Sequence, residues 1–219
     1  MAKAIPVYLE AGAKKVFACS IDFPGWCRSG KEDEAALEAL ADYAPRYAEV
    51  AKLAKVAFPA TVEFEVTERV KGKGATDFGI PHEVTGADAE PMTAREAARQ
   101  VQLMRAAWAL LDRVAKASPA ELRKGPRGGG RDRDKMLDHV LGAEAAYARQ
   151  VGIKHPQPQV GDTKAITSLR DDLAEALRGA SDGSPLRPKG WPARYAPRRI
   201  TWHVLDHAWE MQDRRDPDG

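Results

Sequence analysis

The hydrophobic periodicity of the sequence changes near residue 92, and this change most strongly limits the folds that the chain can adopt. Before that point, apolar and polar residues alternate, as at Val62, Phe64 and Val66, which is typical of strands with one buried face. After it, apolar residues recur every three or four positions, which is the spacing of an amphipathic helix. Two units of different architecture are therefore predicted, with an α/β domain over 1–75, a linker over 76–92 and a helical domain over 93–219.

The first unit is predicted to contain three strands and a helical segment. Apolar stretches predict the strands over 5–10, 15–23 and 61–70. The Pro24-Gly25 pair ends the second strand, and an acidic turn followed by alanine and leucine at helical spacing predicts a helix after Gly30. Pro45 should end or kink that helix. We therefore expect a small antiparallel sheet covered by a helix.

The linker is predicted from composition, because residues 72–91 are rich in glycine, proline and aspartate and show little periodicity. One short strand over 78–84 is the only regular element expected there. The linker ends before Thr93 and Glu96, whose spacing predicts a capping box at the start of the first long helix.

The second unit is predicted to contain four helices. The first carries apolar residues from Ala97 to Leu111 at helical spacing and fades near Ser118. Proline- and glycine-containing loops separate it from three further helices, predicted over 133–151, 163–179 and 199–214. The expected fold class is therefore α+β, with a small α/β domain followed by an up-and-down four-helix bundle.

Composition excludes several classes of protein. The chain of 219 residues contains no apolar run near the about 20 residues that cross a bilayer, and its N-terminus does not resemble a signal segment. Cys19 and Cys27 are too few for a disulfide framework, so we expect free thiols and a cytoplasmic location. The net charge of +2 divides into −4 over 1–91 and +6 over 92–219, and an excess of +6 falls short of the dense basic stripe of a dedicated nucleic-acid binder.

Three histidines form a candidate metal site. His203 and His207 lie four residues apart in the last helix, so both rings can reach one ion, and His139 lies on the second helix. Glu210 shares the side of the histidine pair, whereas Glu144 lies nearer the middle of an apolar face and needs a partner cation, water or histidine N–H. Either glutamate is a candidate for orienting a ligand or acting as a general base. The alternative is that the histidines are interfacial or partly exposed and bind nothing.

The residues around these histidines resemble a known family. KMLDHVLGAE over 135–144 and ITWHVLDHAWE over 200–210 are similar to the second- and fourth-helix signatures of the DinB-like metal-dependent four-helix bundles. The resemblance covers about 93–215 and implies a divalent ion, commonly zinc or nickel, held by His139, His203 and His207. It also implies transferase or isomerase chemistry with a low-molecular-weight thiol such as mycothiol or bacillithiol. A metal-dependent hydrolase acting on a small electrophile is the related option.

The first unit resembles a different family. VFACSIDFPGWCRSG over 16–30, followed by EAAL over 34–37, is similar to the strand–PG–strand–helix pattern of HicB-type antitoxins. The resemblance covers about 5–50, or to about 85 if the later strand is included, and the chain departs from the pattern after Pro45. It implies the fold and a protein-binding surface, so a non-catalytic stress or regulatory binding module is the alternative function.

Two further segments are candidates for ligand contacts. The basic, glycine-rich loop over 124–135 is either an anion-binding loop or a flexible connection. Arg194 and Tyr195, just before the last helix, are the candidate cofactor-binding residues, supplying an anion contact and an aromatic contact; otherwise they belong to a packed, proline-rigid connection. A small-molecule substrate is the expected ligand, and a homodimer is the expected assembly because dimers are the commonest one.

Overall fold

The structure, a computed structural model, describes residues 4–124 and 129–215 and has an α+β fold. The predicted basic loop therefore lies partly outside the described residues, at 125–128. Within the described parts of the chain, the elements are, in order, β1 (Ile5–Ala11), β2 (Val16–Ser20), β3 (Cys27–Gly30), α1 (Asp33–Asp42), α2 (Ala44–Leu53), β4 (Phe64–Lys71), α3 (Gly74–Phe78), α4 (Ala94–Lys116), α5 (Arg133–Gln150), α6 (Thr163–Leu177) and α7 (Tyr195–Asp213). None of the helices described combines the length and apolar character that crossing a bilayer requires.

The four strands form one mixed sheet in the order β3-β2-β1-β4. The β1–β2 and β2–β3 pairs are antiparallel, as expected for strands joined by tight turns. The prediction of a wholly antiparallel sheet was wrong, because β4 pairs with β1 in parallel. The chain passes through α1 and α2 before β4, and a helical crossover of this kind returns a strand parallel to its neighbour.

The helix predicted after Gly30 is broken as expected near Pro45. Its first part, α1, ends at Asp42 with Tyr43 as the C-cap, and Pro45 lies in the first turn of α2, where its missing N–H costs no hydrogen bond. Tyr47 of α2 stacks on Trp26 at 5.5 Å between ring centroids, and its hydroxyl donates to the Pro24 carbonyl at 2.8 Å. These contacts hold α2 against the turn between β2 and β3, while α1 contacts the strands β2 and β3.

The opposite face of the sheet carries the two cysteines. The expectation of free thiols was wrong, because a disulfide joins Cys19 of β2 to Cys27 of β3. The turn at Gly25, with φ +85°, folds the two strands so that these cysteines are direct cross-strand neighbours. Trp202 of α7 packs against them.

The predicted strand over 78–84 was also wrong: α3 ends at Phe78, and a short 3-10 helix follows at Gly86–Ala89. The fully buried Glu10 of β1 orders this segment. Its carboxylate accepts hydrogen bonds from the Thr76 hydroxyl at 2.7 Å and from the backbone N–H groups of His82 and Glu83, both at 3.0 Å. Because a side chain satisfies these donors, the segment needs no strand partner.

The four long helices contact one another through the pairs α4–α7, α5–α7, α4–α6 and α5–α6. Thr93 caps the start of α4 with the predicted capping box, in which the Glu96 N–H donates to the Thr93 hydroxyl and the Glu96 carboxylate accepts from the Thr93 N–H. The α7 helix begins at Tyr195, one turn before the predicted residue, because Pro197 is tolerated in a first turn. It presents Trp202 to the sheet and its other apolar face to the remaining helices.

Candidate metal centre

The three predicted histidine ligands lie together at the α5–α7 contact. One nitrogen of each ring of His139, His203 and His207 lies within 4.8 Å of the others. The Nε2 atoms of His139 and His203 are 3.1 Å apart. The two histidines of α7 are one turn apart and their ring centroids are separated by 4.7 Å. Helical spacing thus places the pair, and packing of α5 against α7 supplies the third ring.

The distance between two of these nitrogens fits a small divalent ion. Zinc–nitrogen bonds of about 2.0–2.1 Å at tetrahedral angles separate two ligand nitrogens by about 3.3 Å. The observed 3.1 Å between the His139 and His203 nitrogens is close to that separation. Imidazole nitrogens suit zinc and nickel, whereas calcium and magnesium prefer oxygen. The donor set is therefore compatible with the zinc or nickel ion that the family resemblance implies.

Burial favours the neutral, metal-binding form of His139 and His203. His203 is 7% exposed, and burial, followed by the nearby His207 and Arg199, holds its pKa well below the ordinary value of 6.5. The pKa of His139 is lowered in the same direction by burial, His207 and Arg131. A neutral imidazole offers a lone pair without first losing a proton.

Glu210 orients His207. Its Oε2 lies 3.1 Å from His207 Nδ1, which donates to it in the tautomer that leaves Nε2 free as a ligand. Arg214 donates to the other carboxylate oxygen at 2.8 Å. The hydrogen bond from His207 holds the pKa of Glu210 below its usual range. The carboxylate is thus charged and held between two donors.

The structure does not bring Glu144 to the histidines. Its carboxylate is 1% exposed and pairs with Arg170 of α6 at 3.2 Å between Oε2 and Nε. Arg170 also contacts Asp112 of α4 at 3.0 Å. The sequence analysis allowed a cation, a water or a histidine N–H as the partner of this buried carboxylate, and the structure shows a cation, Arg170. The ion pairs of Arg170 link α5, α6 and α4.

Arg194 and Tyr195 are likewise held by contacts within the chain. Arg194 donates to the backbone carbonyls of Glu90 at 3.2 Å and Pro91 at 2.6 Å. The Tyr195 hydroxyl donates to the His82 carbonyl at 2.7 Å. Tyr195 lies two turns before His203, about 12 Å along the helix axis at the usual rise. Through these hydrogen bonds, both residues connect the start of α7 to the segment before α4.

Sequence reasoning missed two side chains beside the site. The Tyr147 ring of α5 lies 5.8 Å from the His203 ring, and Arg199 lies one turn before His203 on α7. Four-residue spacing from the candidate ligand His203 could have found Arg199, since positions i and i+4 share a helix face. Tyr147 stands two turns from His139 and could have been found in the same way.

No family model, curated protein or solved structure matches this chain. A fold alone would not define an activity. The function is therefore argued from the arrangement of the histidines and their neighbours.

Proposed function

We propose that the protein is a DinB-like four-helix bundle, formed by α4–α7, whose His139, His203 and His207 bind a divalent zinc or nickel ion. The observation that carries this proposal is the approach of three ring nitrogens, from two helices, to within 4.8 Å of one another. Without an ion, the 3.1 Å between the Nε2 atoms of His139 and His203 can be bridged by one N–H···N hydrogen bond, which joins only two of the three rings. An ion bound by all three rings would use a lone pair from each of them.

Such a site suits catalysis. Three protein ligands leave coordination positions open, and an ion bound there acts as a Lewis acid that lowers the pKa of a water or thiol. Glu210 holds His207 in its ligand tautomer, and Arg214 keeps that carboxylate in place. With both carboxylate oxygens engaged, Glu210 is an orienting group rather than the general base.

We infer that the reaction transfers a nucleophile to a small electrophilic molecule. A low-molecular-weight thiol as nucleophile gives an S-transferase or isomerase, and water gives a hydrolase. The Tyr147 ring lies 5.8 Å from the His203 ring between centroids and gives this side of the site an aromatic wall. An aromatic wall favours a compact organic substrate over a metal-only storage role.

Metal analysis of the purified protein tests the proposal. We expect near-stoichiometric divalent ion by inductively coupled plasma mass spectrometry and its loss in a His203→Ala/His207→Ala variant. The matched control is His82→Ala/His155→Ala, which removes two histidines that are not in the cluster and should retain the ion. Full metal content in the first variant would refute the proposed site.

A second measurement separates the two nucleophiles and the non-catalytic alternative. Cobalt-loaded protein titrated with a thiol should develop a thiolate-to-cobalt charge-transfer absorption if thiols reach the ion. Absence of that band, with hydrolysis of an activated ester, would indicate the hydrolase. A loaded protein that does neither would favour the binding-module alternative, in which the HicB-like unit contacts a protein partner.

A further inference from the structure

Arg199 has an unusual setting beside the proposed metal centre. Its guanidinium carbon lies 4.7 Å from the ring centroid of Trp202 and 5.1 Å from that of Tyr147. Contacts with two aromatic rings restrict the planar group and stabilise its charge. The side chain is thus positioned by residues of both α7 and α5.

Within residues 4–124 and 129–215, Arg199 has no ion-pair partner. No carboxylate oxygen of a described residue lies within 4.0 Å of its nitrogens, and its NH1 is buried without a hydrogen-bond partner. Nearby arginines differ in this respect. Arg28 pairs with Asp206 at 2.9 Å, Arg214 pairs with Glu210 at 2.8 Å, and Arg198 pairs with Asp88.

An unsatisfied guanidinium nitrogen is costly, because a buried donor loses its hydrogen bonds to water and gains none in return. NH1 itself is covered, but Arg199 as a whole is only partly buried, so an anion from solution can bind the remaining donors of the guanidinium.

The same helix face carries Arg199 and His203. Residues four apart in a helix have Cβ atoms about 6 Å apart, so the guanidinium and the proposed ion are neighbours along one stripe of α7. Asp206 and Glu210 continue this stripe and, like Arg199, are only partly buried, whereas the flanking Trp202 and Val204 are buried. A small molecule lying on the stripe would contact both the guanidinium and the ion.

We propose that the metal centre takes a small organic anion and that Arg199 binds its carboxylate. This inference rests on the proposed function. The planar guanidinium matches a carboxylate in a two-pronged hydrogen bond, which an ammonium group does not. The separation of about one helical turn selects a molecule whose carboxylate lies a few bonds from the reacting atom. The carboxylate belongs either to the thiol or to the electrophile, and the binding chemistry is the same for both.

Ligand binding to the cobalt-loaded protein tests the inference, because paramagnetic relaxation of ligand protons reports weak binding near the ion. In one arm, 3-mercaptopropionate is compared with 3-mercaptopropionamide. In the other arm, butanoate is compared with butanamide in the presence of 2-mercaptoethanol. We expect Arg199→Gln to weaken binding of the carboxylate by about tenfold or more, and to change amide binding by less than about twofold.

The variants keep the outcome interpretable. Arg199→Lys retains the charge without the planar fork and should recover only part of the carboxylate affinity. Arg105→Gln removes an exposed arginine that pairs with Asp171 and should leave all affinities unchanged. Circular dichroism establishes that each variant is folded.

If Arg199→Gln weakens binding of 3-mercaptopropionate, the carboxylate belongs to the thiol. If it weakens binding of butanoate, the carboxylate belongs to the electrophile. Equal loss for carboxylate and amide, or no loss in either arm, would overturn the inference while leaving the metal site intact. A wild-type protein that binds no cobalt would instead refute the proposed function, so the two failures are distinguishable.

Discussion

His203 should make the stability of the metal-free protein depend on pH. Burial places its folded-state pKa well below the ordinary value of 6.5, so the unfolded chain binds more protons between those two values. Its contribution to stability is therefore fully present above 6.5 and is lost as pH falls from there towards the folded-state pKa. We expect the melting temperature in a chelator to fall over this range, and to fall less in a His203→Gln variant.

The control for this prediction is His155→Gln, because His155 lies outside the cluster, in the loop between α5 and α6. Its pH profile should follow the wild type. Parallel profiles for wild type and His203→Gln would show that this ring does not govern the acid sensitivity.

The sequence contained the information for the histidine cluster but not for the partner of Glu144. His203 and His207 are local neighbours on one helix, and His139 required only that α5 pack against α7. Arg170 lies 26 residues after Glu144 on another helix, and no local pattern connects the two. The disulfide escaped prediction for a similar reason, since it depends on the register of the β2–β3 hairpin rather than on the cysteine count.

The ion pair between Glu144 and Arg170 should hold α5 to α6 without contributing to metal binding. Arg170→Ala leaves a buried carboxylate unpaired, and we expect it to lower the free energy of unfolding by about 3–5 kcal/mol in urea titrations. Metal content should be unchanged, because Glu144 is not part of the histidine group.

An exposed arginine of the same region supplies the matched control. Arg178 pairs with Glu175 at the end of α6, and both side chains are more than 60% exposed. Arg178→Ala should change stability by less than about 0.5 kcal/mol. Loss of metal in a folded Arg170→Ala variant would contradict this prediction and would indicate that Glu144 contributes to the proposed metal centre.

The types of most elements could be predicted, but two of their relationships could not. Apolar alternation in β4 is the same whether the strand pairs in parallel or antiparallel, so the direction of pairing followed only from the path of the chain through α1 and α2. Between β4 and α4, the buried Glu10 satisfies backbone donors that a strand would otherwise pair. A carboxylate far away in sequence therefore decides the local structure of that segment.

At the scale of the whole molecule, α7 contacts both the N-terminal α/β part and the other long helices. Its histidines face α5, while Trp209 packs edge-on against Tyr43, at the α1–α2 junction, at 5.3 Å between ring centroids. One continuous apolar cluster includes residues from Ile5 to Met211. The change of periodicity near residue 92 thus marks a change of element type, and the predicted division into two domains stays a prediction.

Because the apolar core is continuous, we expect the full chain to unfold in a single cooperative transition despite its two patterns of secondary structure. Calorimetric and van't Hoff enthalpies of the metal-free protein should agree. Trp209→Ala, at a residue 2% exposed, should lower stability by about 3–5 kcal/mol and shift the whole transition together. The contrary result would be two resolved transitions, with Trp209→Ala shifting only the transition of α4–α7. That result would show that the sheet and the helices are independent domains. In that case the proposed metal centre would belong to the helices alone.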